Sequence, residues 1–327
     1  MTFDAPHADV AFSYAPGKVI LVGEHAVVYG ASAIAMPIEL GVRVAVSHYR
    51  PVGQVGPILR GVGPFLMGDV TAHASSPGPK ILKSALLYLC EHFGDELEHV
   101  SIVVDGNVPP GRGLGSSASL SVAMIRALYR YFSRPLSDQV LQEHALALET
   151  IFHGSPSGID HTVVINDQVI GFRREGLKSL IWPIPLRSSL KFIIACAGPH
   201  DGTKNAVLAL AERRKRHAVA YERIFRGLHD IAEDMEKALT EGHQACLGEL
   251  MNMAQGYLNA LSLSTPEIEK LCAIARERGA LGAKLTGAGG GGAIIALIDH
   301  NESGIQSAFS AAGYQSFVVE IAKRDAS

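Results

Sequence analysis

The sequence predicts a mixed fold of helices and strands around a sizeable core, arranged as two domains or one large one. Three observations carry this. The chain has 327 residues, enough for two domains. It is 47% hydrophobic and 19% charged, the balance of a protein with a packed interior. Stretches of period-two alternation interleave with stretches of helical periodicity along its whole length.

The elements follow in order. Ala11–Tyr14 alternates, Val19–Val22 is a buried apolar run and Gly41–Val46 alternates again, so all three read as strands. Pro51–Pro79 is rich in Gly and Pro and reads as loop. A helix covers Lys80–His92 and a strand Val100–Val104. From Ser117 to Phe132, Leu120, Ala123, Met124, Ala127 and Leu128 share one helical face. A further helix spans Asp138–Phe152, and the turn His153–Gly158 leads through Ile159 and Asp160 into a strand over Thr162–Ile165. The character changes near residue 185. A strand covers Leu190–Ala197, two long helical stretches fill 204–262, and a shorter helix covers 266–278. A strand–glycine loop–strand unit over 281–298, a helix over 303–312 and a strand over 314–322 close the chain.

Composition excludes several classes. The formal net charge of −3 gives no electrostatic footprint for nucleic acid or an anionic membrane surface. No apolar run is long enough to span a bilayer, and residues 1–7 lack the basic start and apolar run of a secretory signal. Cys90, Cys196, Cys246 and Cys272 lie far apart without metal-ligand spacing, which reads as buried, reduced thiols in a cytoplasmic protein.

The strongest chemical signal is Pro110-Gly111-Arg112-Gly113-Leu114-Gly115-Ser116-Ser117-Ala118, between a predicted strand and a predicted helix. Glycine permits positive φ and lets backbone approach a ligand. A helix N-terminus offers free N–H groups to a phosphate, and two serines add hydroxyls for phosphate or Mg²⁺. A plain serine-capped turn needs one or two glycines, not three at alternate positions. The chain contains no G-x-x-x-x-G-K-[ST].

Three other segments carry chemistry. Lys284–Ala293 contains a formal G-x-G-x-x-G, but the strand-like Ala293–Ile298 follows it where a dinucleotide site needs a helix. Its loop, Gly287-Ala288-Gly289-Gly290-Gly291-Gly292, reads either as a flexible hairpin tip or as a loop closing over substrates. In the helix ending at Phe152, Glu149 interrupts an apolar stripe of Ala145, Leu148 and Phe152. A buried carboxylate needs a cation or a strong donor, so Glu149 reads as a structural salt bridge, an exposed helix edge or a metal ligand. Asp160 follows just past a turn, and two such acids suit one metal ligand and one base. Finally, Ala15–Gly30 sets Lys18 beside an apolar strand and Glu24 and His25 just after its end. Taken singly, each would pass for a solvated or structural residue.

Together these segments resemble the GHMP kinase superfamily and, within it, the mevalonate kinases, along essentially the whole chain. Pro109–Ala118 looks like the family's P-x-x-x-G-L-G-S-S-A motif. Ala15–Gly30 resembles A-P-G-K-V-I-L-x-G-E-H-A-V-V-x-G, and Lys284–Gly292 resembles K-x-T-G-A-G-G-G-G. Glu149, His153-Gly154, Pro156-Ser157-Gly158 and Asp160 match E…H-G-x-P-S-G-x-D. Arg112 and Ser119 stand where small residues or Ala are common, and Pro199–Gly202 departs from the usual basic approach to Thr203.

The resemblance implies an α+β, two-domain GHMP kinase fold. Residues 1–185 would form a ribosomal S5 domain 2-like domain and 186–327 a ferredoxin-like one, with the active site between them. It implies ATP and Mg²⁺ as cofactors, mevalonate as acceptor, and is compatible with a homodimer. Asp160 would be the catalytic base and Lys18 would stabilise charge on the reacting oxygen. Glu149, with Ser116 or Ser117, would hold Mg²⁺. Pro110, Gly111, Gly113, Leu114, Gly115, Ser116, Ser117 and Ala118 would bind the ATP phosphates. Glu24, His25, Thr203, Gly287, Ala288 and Gly289 would hold the acceptor. Rival readings are a GHMP kinase for phosphomevalonate or a sugar, a related decarboxylase, and a non-catalytic binding module. The intact Lys18 motif argues against the second, and the complete Lys18, Glu149 and Asp160 set against the third.

Overall fold

A computed structural model describes residues 10–49, 56–62, 68–71, 79–154, 156–176, 178–198 and 203–323. β1 (Val10–Val22) is one continuous strand, so the two apolar stretches on either side of Pro16 and Gly17 belong together. Its side chains alternate as far as Tyr14 and are buried from Ala15 onward. β2 (Ala33–His48) likewise extends well ahead of the alternating Gly41–Val46. Two short strands, β3 (Ile58–Val62) and β4 (Gly68–Thr71), lie in the segment expected to be loop. Interleaved glycines conceal their alternation, and residues 51–55, 63–67 and 72–78 of that segment lie outside the described residues.

α1 (Lys80–Phe93), β5 (Val100–Gly106), α2 (Ser116–Tyr131) and α3 (Asp138–His153) match the sequence reading to within a residue or two. Ser137 caps α3 by accepting the Val140 N–H at 3.3 Å. α4 (Ile159–Asn166) is a correction: Thr162–Ile165 is helical, not a strand. Ile159 and the four residues His161–Val164 are buried, so packing on every side overrides the β preference of Thr and Val.

β6 (Ile170–Glu175) and β7 (Lys178–Pro183) form a hairpin, followed by β8 (Leu190–Gly198). Three helices, not two, follow: α5 (Thr203–Arg216), α6 (Ala218–Glu241) and α7 (Gln244–Ala260). The break before α7 falls at Gly242, whose φ of +83° ends α6 in the left-handed region. α8 (Pro266–Glu277) starts with a Thr265 cap and Pro at its first turn. β9 (Gly282–Thr286), β10 (Gly292–Ile298), α9 (Glu302–Ala311) and β11 (Ser316–Ile321) complete the chain as expected.

The chain divides into two compact units. The first gathers residues up to Gly17, Leu40–Pro110 and Gly115–Ile165. Here β5 pairs antiparallel with the second half of β2 and parallel with β3, and β4 closes the edge. Val44, Ile102, Val104, Leu86, Leu128 and Leu148 form its buried interior. The second unit gathers Lys18–Glu39, Gly111–Leu114 and everything from Asn166. Its antiparallel sheet runs β11-β8-β10-β9, with α7 and α8 packed on β9. Ile193, Ile295, Leu285, Met251 and Leu271 are buried there. In the β6–β7 hairpin of this unit, the Trp182 indole lies against Gly171, where a Cβ would come within 2.0 Å of the ring. Its N–H donates to the Glu236 carboxylate at 3.0 Å.

Among the described residues no helix is long and apolar enough to cross a membrane. All four cysteines are free thiols, but only Cys196 and Cys272 are buried; Cys90 is half-buried and Cys246 exposed on α7. α7 buries Leu247, Leu250, Met251, Ala254 and Leu258 along one face, and Cys246 falls outside it.

Candidate active site

The glycine- and serine-rich loop opens α2 as its spacing requires. Gly111, Gly113 and Gly115 all have positive φ, at +68°, +77° and +78°. Gly115 is the N-cap of α2, and no side chain caps its first turn. The leading N–H groups are therefore available to an oxyanion. Pro110 is exposed at the loop's start, whereas the Ala118 side chain is buried beneath it, leaving only backbone to offer a ligand. The Leu114 carbonyl accepts the Lys18 N–H at 2.9 Å, which ties the loop to β1.

Gly113 shows why glycine is needed. A Cβ there would meet the Thr286 carbonyl at 3.0 Å and the Gly287 Cα at 3.3 Å, on a backbone with φ of +77°. Strain of ~1–2 kcal/mol is the usual cost of a side chain in this region. Gly113→Ala is therefore expected to weaken binding of a non-hydrolysable ATP analogue by roughly tenfold, read by calorimetry. Unchanged affinity would show that the loop relaxes freely.

The first unit sets out one group of predicted residues. Ser117 Oγ lies 2.8 Å from His153 Nε2. Ser119 fills its unusual position with a purpose: its hydroxyl lies 2.6 Å from the Pro16 carbonyl and 2.9 Å from that of Gly115, fixing β1 to the start of α2. Glu149 is 1% exposed. Its Oε2 accepts from His161 Nδ1 at 3.0 Å, and Oε1 is buried without a hydrogen-bond partner among the described residues. Asp160, half-buried, stands in the first turn of α4 beside His161. The sequence reading missed His161; the requirement that Glu149 find a strong donor was the available signal.

That orphaned oxygen is the observation against which the fit of a cation is judged. A buried carboxylate oxygen without a donor fits a hard cation that takes oxygen ligands. No cluster of three or more His, Cys, Asp and Glu among the described residues could hold a metal alone. Mg²⁺ here would draw its other ligands from nucleotide phosphates and water, as is usual for that ion.

The second unit sets out the rest. Lys18, Glu24 and His25 are all buried. The Lys284 ammonium binds Glu24 Oε1, and it donates to the Leu285 carbonyl at 2.6 Å. Burial pushes the Glu24 carboxyl up and the Lys284 ammonium down, and each charge opposes the shift of the other. His25 Nε2 lies 2.7 Å from the Ala288 carbonyl. A carbonyl only accepts, so Nε2 carries the proton and Nδ1 is left as an acceptor. Burial holds His25 below the ordinary imidazole range, against the opposing pull of that hydrogen bond. Gly287, Ala288 and Gly289 belong to a seated turn, not a loose tip. The Gly290 N–H donates to the Leu263 carbonyl at 2.8 Å, and a Cβ at Gly289 would meet that carbonyl at 2.5 Å. Thr203 begins α5; its side chain and the run Pro199–Gly202 lie outside the described residues.

Comparison with known proteins identifies the family. Residues 80–167 match the GHMP kinases N terminal domain and 235–315 the GHMP kinases C terminal domain. A mevalonate kinase from Aeropyrum pernix is 35% identical over 318 residues, covering 95% of this chain and 96% of that relative. The crystal structure of L. major mevalonate kinase in complex with R-mevalonate superposes with a TM-score of 0.82 at 27% identity, covering 98% and 97% of the two chains. A Lactococcus lactis galactokinase complexed with galactose shares the fold alone, at TM-score 0.76 and 20% identity, covering 98% and 95%. Both domains are therefore those of one family, in its order and at nearly full length, and the chain belongs to the GHMP kinases, in their mevalonate kinase branch.

Proposed function

We propose that this chain transfers the γ-phosphoryl group of ATP to the 5-hydroxyl of mevalonate, giving ADP and 5-phosphomevalonate. The full-length likeness to a mevalonate kinase carries the choice of acceptor. Phosphoryl transfer asks a protein for positioning, charge neutralisation and a group to take the hydroxyl proton. In this reading the N–H groups at the start of α2 bind phosphate oxygens. Asp160 takes the proton of the attacking hydroxyl, and Lys18 stabilises the negative charge that develops on that oxygen. Glu149 would hold Mg²⁺ together with Ser116 or Ser117. When the Ser117 hydroxyl donates its hydrogen bond to His153 Nε2, its oxygen keeps both lone pairs for a cation. The bound ion would neutralise charge on the β- and γ-phosphates. His25, neutral and with Nδ1 as acceptor, suits a hydroxyl of the acceptor better than its carboxylate.

A coupled ADP-release assay over mevalonate, phosphomevalonate, homoserine and galactose tests the reading. Mevalonate is expected to exceed the others in kcat/KM by at least ~100-fold, the discrimination available to a site built to pair substrate polar groups. Preferred turnover of any other member would overturn it. We place the reaction in the cytoplasm, where the four free thiols would persist.

A further inference from the structure

Lys284 and Glu24 are among the most completely buried charged residues of the second unit. They are 260 positions apart in the chain. Such a pair is a poor way to stabilise a fold. Desolvating two charges costs about as much as their attraction returns, and an apolar replacement of similar volume is often as stable. Its surroundings show what else it does. The Lys284 ammonium binds Glu24 Oε1 and donates to the Leu285 carbonyl, and it reaches the Ile20 carbonyl at 3.5 Å. Those three acceptors match the three donors of an ammonium. Two residues on, Thr286 Oγ1 accepts the Ile20 N–H at 2.9 Å and lies 3.2 Å from the Ile20 carbonyl. Immediately after Glu24 comes His25, held at a φ of +58° that non-glycine residues rarely adopt. Two residues beyond Thr286 comes Ala288, whose carbonyl His25 grips.

We propose that Lys284 is a positioning residue: with Glu24 it clamps the end of β1 onto β9, so that His25 and the Gly287–Gly289 turn form one rigid acceptor wall. Glu24 then serves the acceptor through Lys284 and the strained His25, without touching it. The proposal rests on the mevalonate reading above.

The test compares Lys284→Met, Glu24→Gln and the double variant Lys284→Met/Glu24→Met. Wild-type turnover of mevalonate is measured first; its absence would sink the parent reading and the acceptor wall with it, whereas the variants test the clamp alone. Each single variant is expected to melt below wild type, because one charge is left buried alone. The double variant is expected to melt near wild type. Its KM for mevalonate should nevertheless rise roughly 10- to 100-fold with the KM for ATP within about twofold, the scale of a misplaced substrate contact. A mevalonate KM restored along with the melting point would overturn the proposal and leave the pair a stability element. An equal rise in both KM values would overturn it too, as general loosening. If the double variant does not fold, Glu24→Gln decides by the two KM values alone: a rise confined to mevalonate supports the clamp, and no rise, or an equal rise in both, overturns it.

Discussion

Asp160→Asn is expected to lower kcat by roughly 10²–10⁴-fold, the usual contribution of a positioned general base. The amide keeps the size of the side chain and is tolerated in the first turn of a helix, where Asp160 stands in α4. It cannot accept the hydroxyl proton. ATP-analogue affinity and the melting temperature should stay close to wild type, because the backbone of the phosphate loop is untouched. The loss should therefore fall in kcat, with little change in KM for either substrate, as expected when an interaction is made only in the transition state. A rate within a few-fold of wild type would remove the base assignment and leave Lys18 and the phosphate loop to account for the chemistry.

Glu149→Gln should have the second largest effect, and on a different measurement. The glutamine oxygen can still accept from His161 Nδ1, so the link between α3 and α4 is kept. The other position becomes an NH₂ donor facing the place where Oε1 now lies without a partner. A donor repels a cation, and the local negative charge is gone. The Mg²⁺ concentration for half-maximal rate should rise by at least ~10-fold, the lower end of what perturbing a metal's ligand shell costs. Calorimetry of ADP binding with and without Mg²⁺ gives the same answer without turnover: the variant should lose most of the Mg²⁺-dependent gain. An unchanged Mg²⁺ titration would make the Glu149–His161 pair purely structural.

The parts of this site legible in the sequence are those in which chemistry dictates residue type over a short span. Three alternate glycines before a helix leave few alternatives to positive φ, and all three have it. Glu149 stands out because a carboxylate in an apolar stripe demands a reason, whereas Lys18 and Asp160 gain their roles only from the motifs around them. What escaped was the pairing. Nothing local joins Glu24 to Lys284, and the partner of Glu149 lay hidden because Thr162–Ile165 reads as β-branched strand. Once α4 is a helix, His161 falls beside Glu149 as a matter of course. The fold was legible wherever one face is apolar, as in α1, α2 and α3. It was lost in β3 and β4, where glycines interrupt the alternation, and in β1, where a proline and a glycine suggested a break that the strand does not make.

The way the chain threads the two units has a consequence for how the protein unfolds. It passes from one to the other after Gly17, Glu39, Pro110, Leu114 and Ile165. No single cut yields either unit as an intact polypeptide, so truncation cannot be used to ask whether each is autonomous. The only tryptophan, Trp182, lies in the second unit and reports on that unit alone, while circular dichroism sums over both. Coincident denaturation midpoints from the two signals would reveal a single cooperative transition. A dichroism change that precedes the loss of indole fluorescence would mean that the unit bearing Glu149 and Asp160 opens first, while the acceptor wall around His25 is still standing.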